Sequence, residues 1–320
     1  MDAMGGDRAP EEIVAGALIA ARDHRISISL VGRQSEIEAL LGAPGERPTN
    51  VTIIDAPDVV TMEEHAVAAI RRKSGASIIV ACQQVAEGSA SAVVSAGHSG
   101  AVVASAIFTI GRQEGIERPG IAIPFPTITG KPVYVIDAGA VVDPRAIHLL
   151  QLATLVRDYL QQVRGIPQPR IGLLSNGSEA GKGNSLVREA YELLSTEPDL
   201  LFHGNIEANA ISDGDVDAVV CDGFSGNVLL KTAEGTASLV QAALRAELSA
   251  HWHTKLLALG LRPAFRRALR SLDYREYGGA PLLGVNRAVI IAHGRSERRA
   301  IANAIVTAAR STQGGVSSWN

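Results

Sequence analysis

Four glycine-rich polar loops, each following a short apolar run, constrain the fold more than any other feature of this chain. Asp222-Gly223-Phe224-Ser225-Gly226-Asn227 follows Val216–Cys221, and Ser95-Ala96-Gly97-His98-Ser99-Gly100 follows Ala92–Val94. Asp137-Ala138-Gly139-Ala140 follows Val133–Ile136, and Ser175-Asn176-Gly177-Ser178-Glu179 follows Ile171–Leu174. In a parallel α/β sheet such loops gather at the carboxyl ends of the strands, where ligands bind. Glycine lets a ligand approach backbone N–H groups, and the following helix presents its positive end. Several such loops together predict one cleft built for an anion, most simply phosphate.

The core available to these strands is aliphatic. Of 320 residues, 46% are hydrophobic and only 4% aromatic, which suits buried parallel strands covered by helices. A net charge of −3 gives no electrostatic case for nucleic acid. Cys82 and Cys221 lie in apolar runs without metal-ligand spacing. They read as core residues of a protein in a reducing cytoplasm, with a catalytic thiol at Cys221 as the alternative. No charged and then apolar leader opens the chain, and the longest apolar run, Ala101–Ile110, is too short to span a bilayer.

Hydrophobic periodicity predicts helices over 11–23, 35–41, 61–73, 77–87, 101–111, 148–163, 185–194, 226–247, 252–272 and 296–309. Strands are predicted over 26–31, 51–55, 92–94, 171–174, 216–221 and 288–292, with a hairpin from 121–126 and 133–137 and a loop over 281–285. The whole chain reads as a single α/β unit with a helical excursion near 242–274 and a disordered polar tail near 312–320.

The candidate chemistry sits in the loops. Gly177 to Ser185 resembles a nucleotide P-loop, but three residues rather than four separate Gly177 from Gly181, and Gly183 follows Lys182. A lysine among glycines at a helix start still suits phosphate, the alternative being a flexible surface turn. In the Asp222 loop, Ser225 offers a hydroxyl and Asn227 an amide; both also suit helix capping. His98 is a candidate acid–base group or hydrogen-bond donor, or a plain loop histidine. His251 and His253 alternate on a predicted helix, so their rings diverge and no metal site is expected. No Ser-His-Asp triad or paired-carboxylate site emerges. A mechanism without an enzyme nucleophile therefore gains weight: bound phosphate attacks a carbonyl while the protein aligns it and stabilises the oxyanion.

Further segments carry a family resemblance: Asp2-Ala3-Met4-Gly5-Gly6-Asp7-Arg8-Ala9-Pro10, Gly115-Ile116-Glu117-Arg118-Pro119, Gly181-Lys182-Gly183-Asn184 and Glu276–Asn286, besides the Ser95 and Asp222 loops, Ala292-His293-Gly294 and Asn303-Ala304-Ile305. Together they are similar to the bacterial PlsX-type phosphate acyltransferases, the fatty acid/phospholipid synthesis protein family, over essentially the whole chain. The resemblance implies a three-layer, Rossmann-like fold of the isocitrate/isopropylmalate dehydrogenase type. It implies conversion of acyl-[acyl carrier protein] and inorganic phosphate to acyl phosphate and free carrier protein, for phospholipid synthesis. A homodimer is implied, with no metal or organic cofactor. So is peripheral contact with an anionic membrane, where a glycerol-3-phosphate acyltransferase takes the product.

On this reading Lys182 and the Gly181 and Gly183 amides hold phosphate, with Asn184 opening the helix. Ser225, Asn227 and adjacent amides stabilise the thioester oxyanion, and His98 and Ser99 line the opposite wall. Asp2, Gly5, Gly6, Gly97, Gly100, Asp137, Asp222, Gly223 and Gly226 complete the substrate-binding set. Leu257, Leu261 and Phe265, beside Arg262, Arg266, Arg267 and Arg270, are the expected membrane contacts, a dimer interface being their alternative use. Two rival readings use the same residues: a phosphotransacetylase-like enzyme acting on short acyl-CoA, and a catalytically degenerate membrane-associated homologue. A nicotinamide dehydrogenase is disfavoured because no dinucleotide fingerprint is present.

The chain departs from the family pattern at three places. Little of an apolar first strand precedes Asp2, His98-Ser99 stands for Asn-Thr, and Val141 stands where the pattern carries Asn. If an amide at 141 normally bonds a ligand or a neighbouring loop, Val141 forfeits about 1 kcal/mol. Val141→Asn is then expected to raise the rate of acyl phosphate formation at an unchanged melting temperature. A fall in rate, or a sharp fall in melting temperature, would show that the pocket is built around valine.

Overall fold

Branched residues alternate across the central strands and bury both of their faces. In the strand Val133–Ile136, Val133 and Val135 join one buried cluster while Tyr134 and Ile136 join another. Such two-sided burial demands helices on both sides of the sheet. The structure, a computed structural model, describes residues 1–42, 47–251, 253, 260–261 and 278–313. The expectations at Leu257 and Phe265, and most of the 252–272 helix and the polar tail, lie outside the described residues.

The helices are α1 (Glu11–Asp23), α2 (Gln34–Leu41), α3 (Ala66–Arg72), α4 (Ser77–Ala86), α5 (Ser99–Ser105), α6 (Ala146–Gln162), α7 (Ser185–Thr196), α8 (Gly223–Ala250) and α9 (Arg298–Gln313). A π-helical turn, Ala106–Ile110, extends α5. The strands are β1 (Ile28–Gly32), β2 (Val51–Asp55), β3 (Ala92–Ser95), β4 (Gly120–Phe125), β5 (Val133–Ile136), β6 (Arg170–Ser175), β7 (Leu201–Glu207), β8 (Ala218–Val220), β9 (Ala280–Leu283) and β10 (Ala288–Ile291). β1 and β2 form a parallel pair, and the larger sheet has the order β3-β10-β9-β4-β5-β8-β6-β7. Met1 to Ala3 joins the two: the Asp2 amide donates to the Val94 carbonyl at 2.9 Å and the Ala3 amide to the Val31 carbonyl at 2.8 Å.

One face of the sheet carries a single apolar layer with α4, α5 and the start of α8, where Leu229 and Leu230 pack. The other face carries two. Helices α1 and α9 cover β3 and β10 through Ile13, Val14, Ile301 and Ile305. Helices α6 and α7 cover β5, β6 and β8 through Leu149, Leu152, Ala190 and Leu194. The expected three-layer α/β fold is present.

The sheet is not parallel throughout, contrary to the expectation of loops gathered at one edge. β10 pairs antiparallel with β9, β9 with β4, and β4 with β5, while β5, β8, β6 and β7 run parallel to one another. Three reversals separate β10 from β5, so β3 and β10 point opposite to β5, β8 and β6. Two further differences have local causes. Of residues 281–285, expected as a loop, 281–283 belong to β9, whose ladders to β10 and β4 each engage only two residue pairs; so short a strand tolerates the missing donor of Pro281. β7 escaped notice because Leu201-Phe202-His203-Gly204-Asn205 lacks the branched residues of a buried strand, which an edge strand does not need. The helix expected over 61–73 starts only at Ala66.

Candidate active site

The loops after β5, β8 and β6 lie side by side because those strands are parallel neighbours. Asp137 organises the first. It is fully buried, yet Oδ1 accepts N–H bonds from Ile121, Gly139 and Ala140 at 3.0–3.1 Å, and Oδ2 accepts that of Val141 at 2.6 Å. Burial pushes its carboxyl above the ordinary range, and the four amide donors oppose that rise. Val141 in turn accepts the Gly223 N–H at 2.8 Å. A Cβ at Gly223 would lie 2.7 Å from Asp137 Oδ2, and one at Gly226 only 1.9 Å from the Asp137 carbonyl. Glycine at both positions lets the first turn of α8 press against the loop.

Asp222 caps α8, accepting the Ser225 N–H at 2.8 Å and the Ser225 hydroxyl at 2.7 Å. Ser225 is thus a partner of its own cap. Asn227 is exposed and faces Gly139. In the third loop Asn184 caps α7 through the Val187 N–H, and Asn176 Oδ1 accepts the Gly183 N–H, each at 2.9 Å. The Gly183 amide is therefore engaged, whereas Lys182 is exposed and forms no ion pair or hydrogen bond through its side chain among the described residues. Beneath this loop Ser175 Oγ and Asn205 Oδ1 are buried without a hydrogen-bond partner among the described residues. Ser175 opens the third loop recognised in the sequence, whereas Asn205 was not singled out; an Asn in a strand beside a glycine loop was the available signal.

The other candidates lie at the opposite edge, after β3 and β10. Ser95 donates its hydroxyl to Asp2 Oδ2 at 2.6 Å and accepts the Gly97 N–H at 3.1 Å. A Cβ at Gly5 would lie 2.6 Å from Asp2 Oδ2 and 2.7 Å from the Gly97 nitrogen, so only glycine brings these loops together. Gly6 has φ +116° and stacks on Ala96. His98 caps α5, its Nδ1 accepting the Ala101 N–H at 3.3 Å; Ser99 and Gly100 are exposed. A shallow recess here is lined by Asp2, Gly5, Ser77, Ser95, Gly97 and His98 together with apolar residues. A second recess, against β9 and β10, contains none of the candidate residues.

The structure therefore gathers Asp137, Asp222, Ser225, Asn227, Lys182 and Asn184 at one edge, and Asp2, Gly5, Gly6, Gly97, His98 and Ser99 at the other. β3 runs opposite to β5 and β8, so the His98 loop and the Asp222 loop follow strands of opposite direction. α8 spans the interval: it starts at the first edge, and eleven residues on, about 17 Å by helix geometry, Glu234 approaches His293 after β10 at 3.9 Å. The two edges are built alike. Gly97-His98-Ser99-Gly100 and Gly223-Phe224-Ser225-Gly226 both open helices, and each packs on an Asp-Ala turn whose aspartate accepts the N–H two residues on. Cys82 and Cys221 are buried; burial pushes the Cys82 thiol up to about 12 and Cys221 well above its ordinary value, which disfavours a nucleophilic thiolate. Among the described residues no His, Cys, Asp and Glu cluster suits a metal, and no helix is long and apolar enough to cross a membrane.

The fatty acid synthesis protein family matches residues 1–319. A phosphate acyltransferase of Pelotomaculum thermopropionicum is 47% identical over 98% of this chain and 91% of its own length. One from Dictyoglomus turgidum is 42% identical over 96% and 92% respectively. Among solved structures, a phosphotransacetylase from Streptococcus pyogenes superposes with a TM-score of 0.65 at 20% identity, covering 95% of this chain and 91% of that one. A 4-hydroxythreonine-4-phosphate dehydrogenase from Klebsiella pneumoniae does so at 0.56 and 16%, covering 97% and 96%. At such identities the likeness concerns the fold alone.

The Asp137 carboxylate is the joint between β4, its own loop and α8. Asparagine there keeps one acceptor oxygen but turns an NH₂ donor toward the Val141 N–H. Asp137→Asn is expected to destabilise the protein by about 1–3 kcal/mol, read as a lower urea midpoint at unchanged m. An unaltered midpoint would mean that the four amides do not depend on the charge.

Proposed function

Because the chain belongs to the fatty acid synthesis protein family, and is an acyltransferase like its phosphate acyltransferase relatives, we propose that it converts acyl-[acyl carrier protein] and inorganic phosphate to acyl phosphate and free carrier protein. The observation that carries the site assignment is Lys182, exposed and unpaired among the described residues, in a glycine loop at the start of α7 and beside the start of α8. A phosphate dianion there meets one full positive charge and the positive end of α7. The Gly181 amide forms no hydrogen bond among the described residues and is a free donor in this loop; Gly183 becomes one only by releasing Asn176.

The chemistry is a single displacement at the thioester carbonyl. A phosphate oxygen forms a bond to carbon, the C–S bond breaks, and the departing sulfur takes up the phosphate proton or remains thiolate. Lys182 holds and orients the nucleophile, so its contribution is positional and electrostatic. Asn227, exposed beside Gly139, offers an amide N–H to the oxyanion; Ser225 shares that role only if its hydroxyl leaves Asp222. His98 and Ser99, at the far edge, serve the acyl donor rather than the phosphate.

A homodimer and peripheral membrane contact belong to the same proposal. α8 exposes Leu239, Val240 and Leu244 at 69%, 52% and 42%, an apolar face suited to a second copy. Leu261 is 51% exposed in a segment of leucines and arginines suited to an anionic bilayer surface.

Acyl phosphate formation tests the reaction directly. Lys182→Ala is expected to lower turnover at limiting phosphate by roughly tenfold or more, at least about 1.4 kcal/mol; unchanged phosphate dependence would remove Lys182 from the site. Turnover of short acyl-CoA but not long-chain acyl carrier protein would establish the phosphotransacetylase-like alternative. Membrane contact predicts salt-sensitive co-sedimentation with anionic liposomes, abolished by Leu257→Glu with Leu261→Glu in a dimer that stays soluble and active. Dissociation of that variant to monomers would assign the leucines to the dimer interface instead.

A further inference from the structure

Lys182 sits in an exposed turn, and one buried side chain ties that turn to the sheet. Residues 178–182 are all exposed. The Lys182 N–H closes the turn on the Glu179 carbonyl at 3.0 Å. The same carbonyl accepts the Nδ2–H of Asn205 at 2.8 Å. Asn205 lies in β7 opposite Leu173 of β6 and is 5% exposed. Among the described residues no other hydrogen bond reaches 178–182 from outside the turn. The next residue, Gly183, has its own partners: its N–H donates to Asn176 Oδ1 at 2.9 Å and its carbonyl accepts from Arg188 at 2.6 Å. The stem of Lys182 lies over Gly177, where a Cβ would meet the lysine Cγ at 2.8 Å.

Asn205 is a poor stabiliser of the fold. Its Nδ2–H bond comes with a buried Oδ1 that has no hydrogen-bond partner among the described residues. One hydrogen bond gained and one buried acceptor left unpaired roughly offset each other. Without Asn205 the Glu179 carbonyl keeps the Lys182 N–H, and water can reach the exposed turn. What the bond supplies is location. An ammonium on a long flexible stem returns to one point only when its backbone is fixed, and Asn205 fixes the Lys182 turn to a strand of the sheet. We propose that Asn205 is a positioning residue, anchoring the turn from which Lys182 meets phosphate. The proposal rests on the reading of Lys182 as the cation that holds phosphate. Asn205 itself touches no reacting atom; its effect passes through the Lys182 backbone.

Asn205→Ala is expected to lower kcat/KM for phosphate about fivefold, less than Lys182→Ala does, because the charge is displaced rather than removed. The KM for the acyl donor and the melting temperature should match the wild type. Asn205→Leu, of similar volume, should show the same kinetics with the side-chain space filled, which separates loss of the anchor from loss of packing. In a Lys182→Ala background Asn205→Ala should have no further effect, since the two residues act as a unit. Native-state hydrogen exchange reads the anchor without turnover: the Lys182 amide should exchange about fivefold faster in Asn205→Ala, with the amides of β6 and α7 unchanged. Unchanged exchange at Lys182, or the same kinetic loss retained in the Lys182→Ala background, would overturn the proposal. So would a lowered melting temperature and a raised donor KM in both Asn205 variants, which would make Asn205 a structural residue. If Lys182→Ala leaves phosphate dependence unaltered while its amide exchanges faster in Asn205→Ala, the reading of Lys182 is what fails, and Asn205 anchors a turn without a part in the reaction.

Discussion

One buried carboxylate holds the Lys182 edge of the molecule together. Asp137 accepts four backbone N–H groups, one from β4 and three from its own loop. The loop so shaped presents the Val141 carbonyl to Gly223 and leaves no room for a Cβ at Gly226, which would lie 1.9 Å from the Asp137 carbonyl. α8 can begin where it does only because this loop has one conformation. The Asp222 cap and the exposed Asn227 follow from that beginning, and so does the direction of a helix that crosses to the other edge. A charge with four amide donors is worth more than the same bonds to a neutral acceptor, which is why an aspartate can be tolerated at zero exposure.

The second governing constraint is the reversal in the middle of the sheet. β9 runs antiparallel to both of its neighbours, and β4 to both of its own. Strand–loop–helix units of the same construction therefore open at opposite edges. Each edge has a buried aspartate beside a glycine loop, Asp137 at one and Asp2 at the other. The first adds Lys182 and the helix starts capped by Asn184 and Asp222; the second adds the helix start capped by His98.

Several residues that look catalytic in the sequence have structural work in the fold. Asn184, His98 and Asp222 each cap a helix, and the Ser225 hydroxyl is held by Asp222. Capping and ligand binding draw on the same residue types because both satisfy free N–H groups at a helix start. Sequence alone cannot separate the two uses; the hydrogen-bond partners do. Lys182 stands apart because nothing among the described residues has claimed its charge.

Local order was legible in the sequence wherever one physical signal dominated. The helix of α1 and the strand of β2 fall where apolar spacing places them, and the hairpin of β4 and β5 forms around its predicted turn. Family membership was legible in the glycine loops, since few folds require glycine at so many helix starts. What the sequence did not determine was direction. Strand propensity is the same whether a strand runs up or down, so nothing in Val133–Ile136 or Ala92–Ser95 announces that their loops open at opposite edges. β9 was hidden by Pro281 and β7 by its edge position, because pairing partners rather than local preference made them strands. Only the tertiary structure decided which loops are neighbours, which polar groups were already satisfied, and that Asn205, on a strand that local preference hid, holds the turn carrying Lys182.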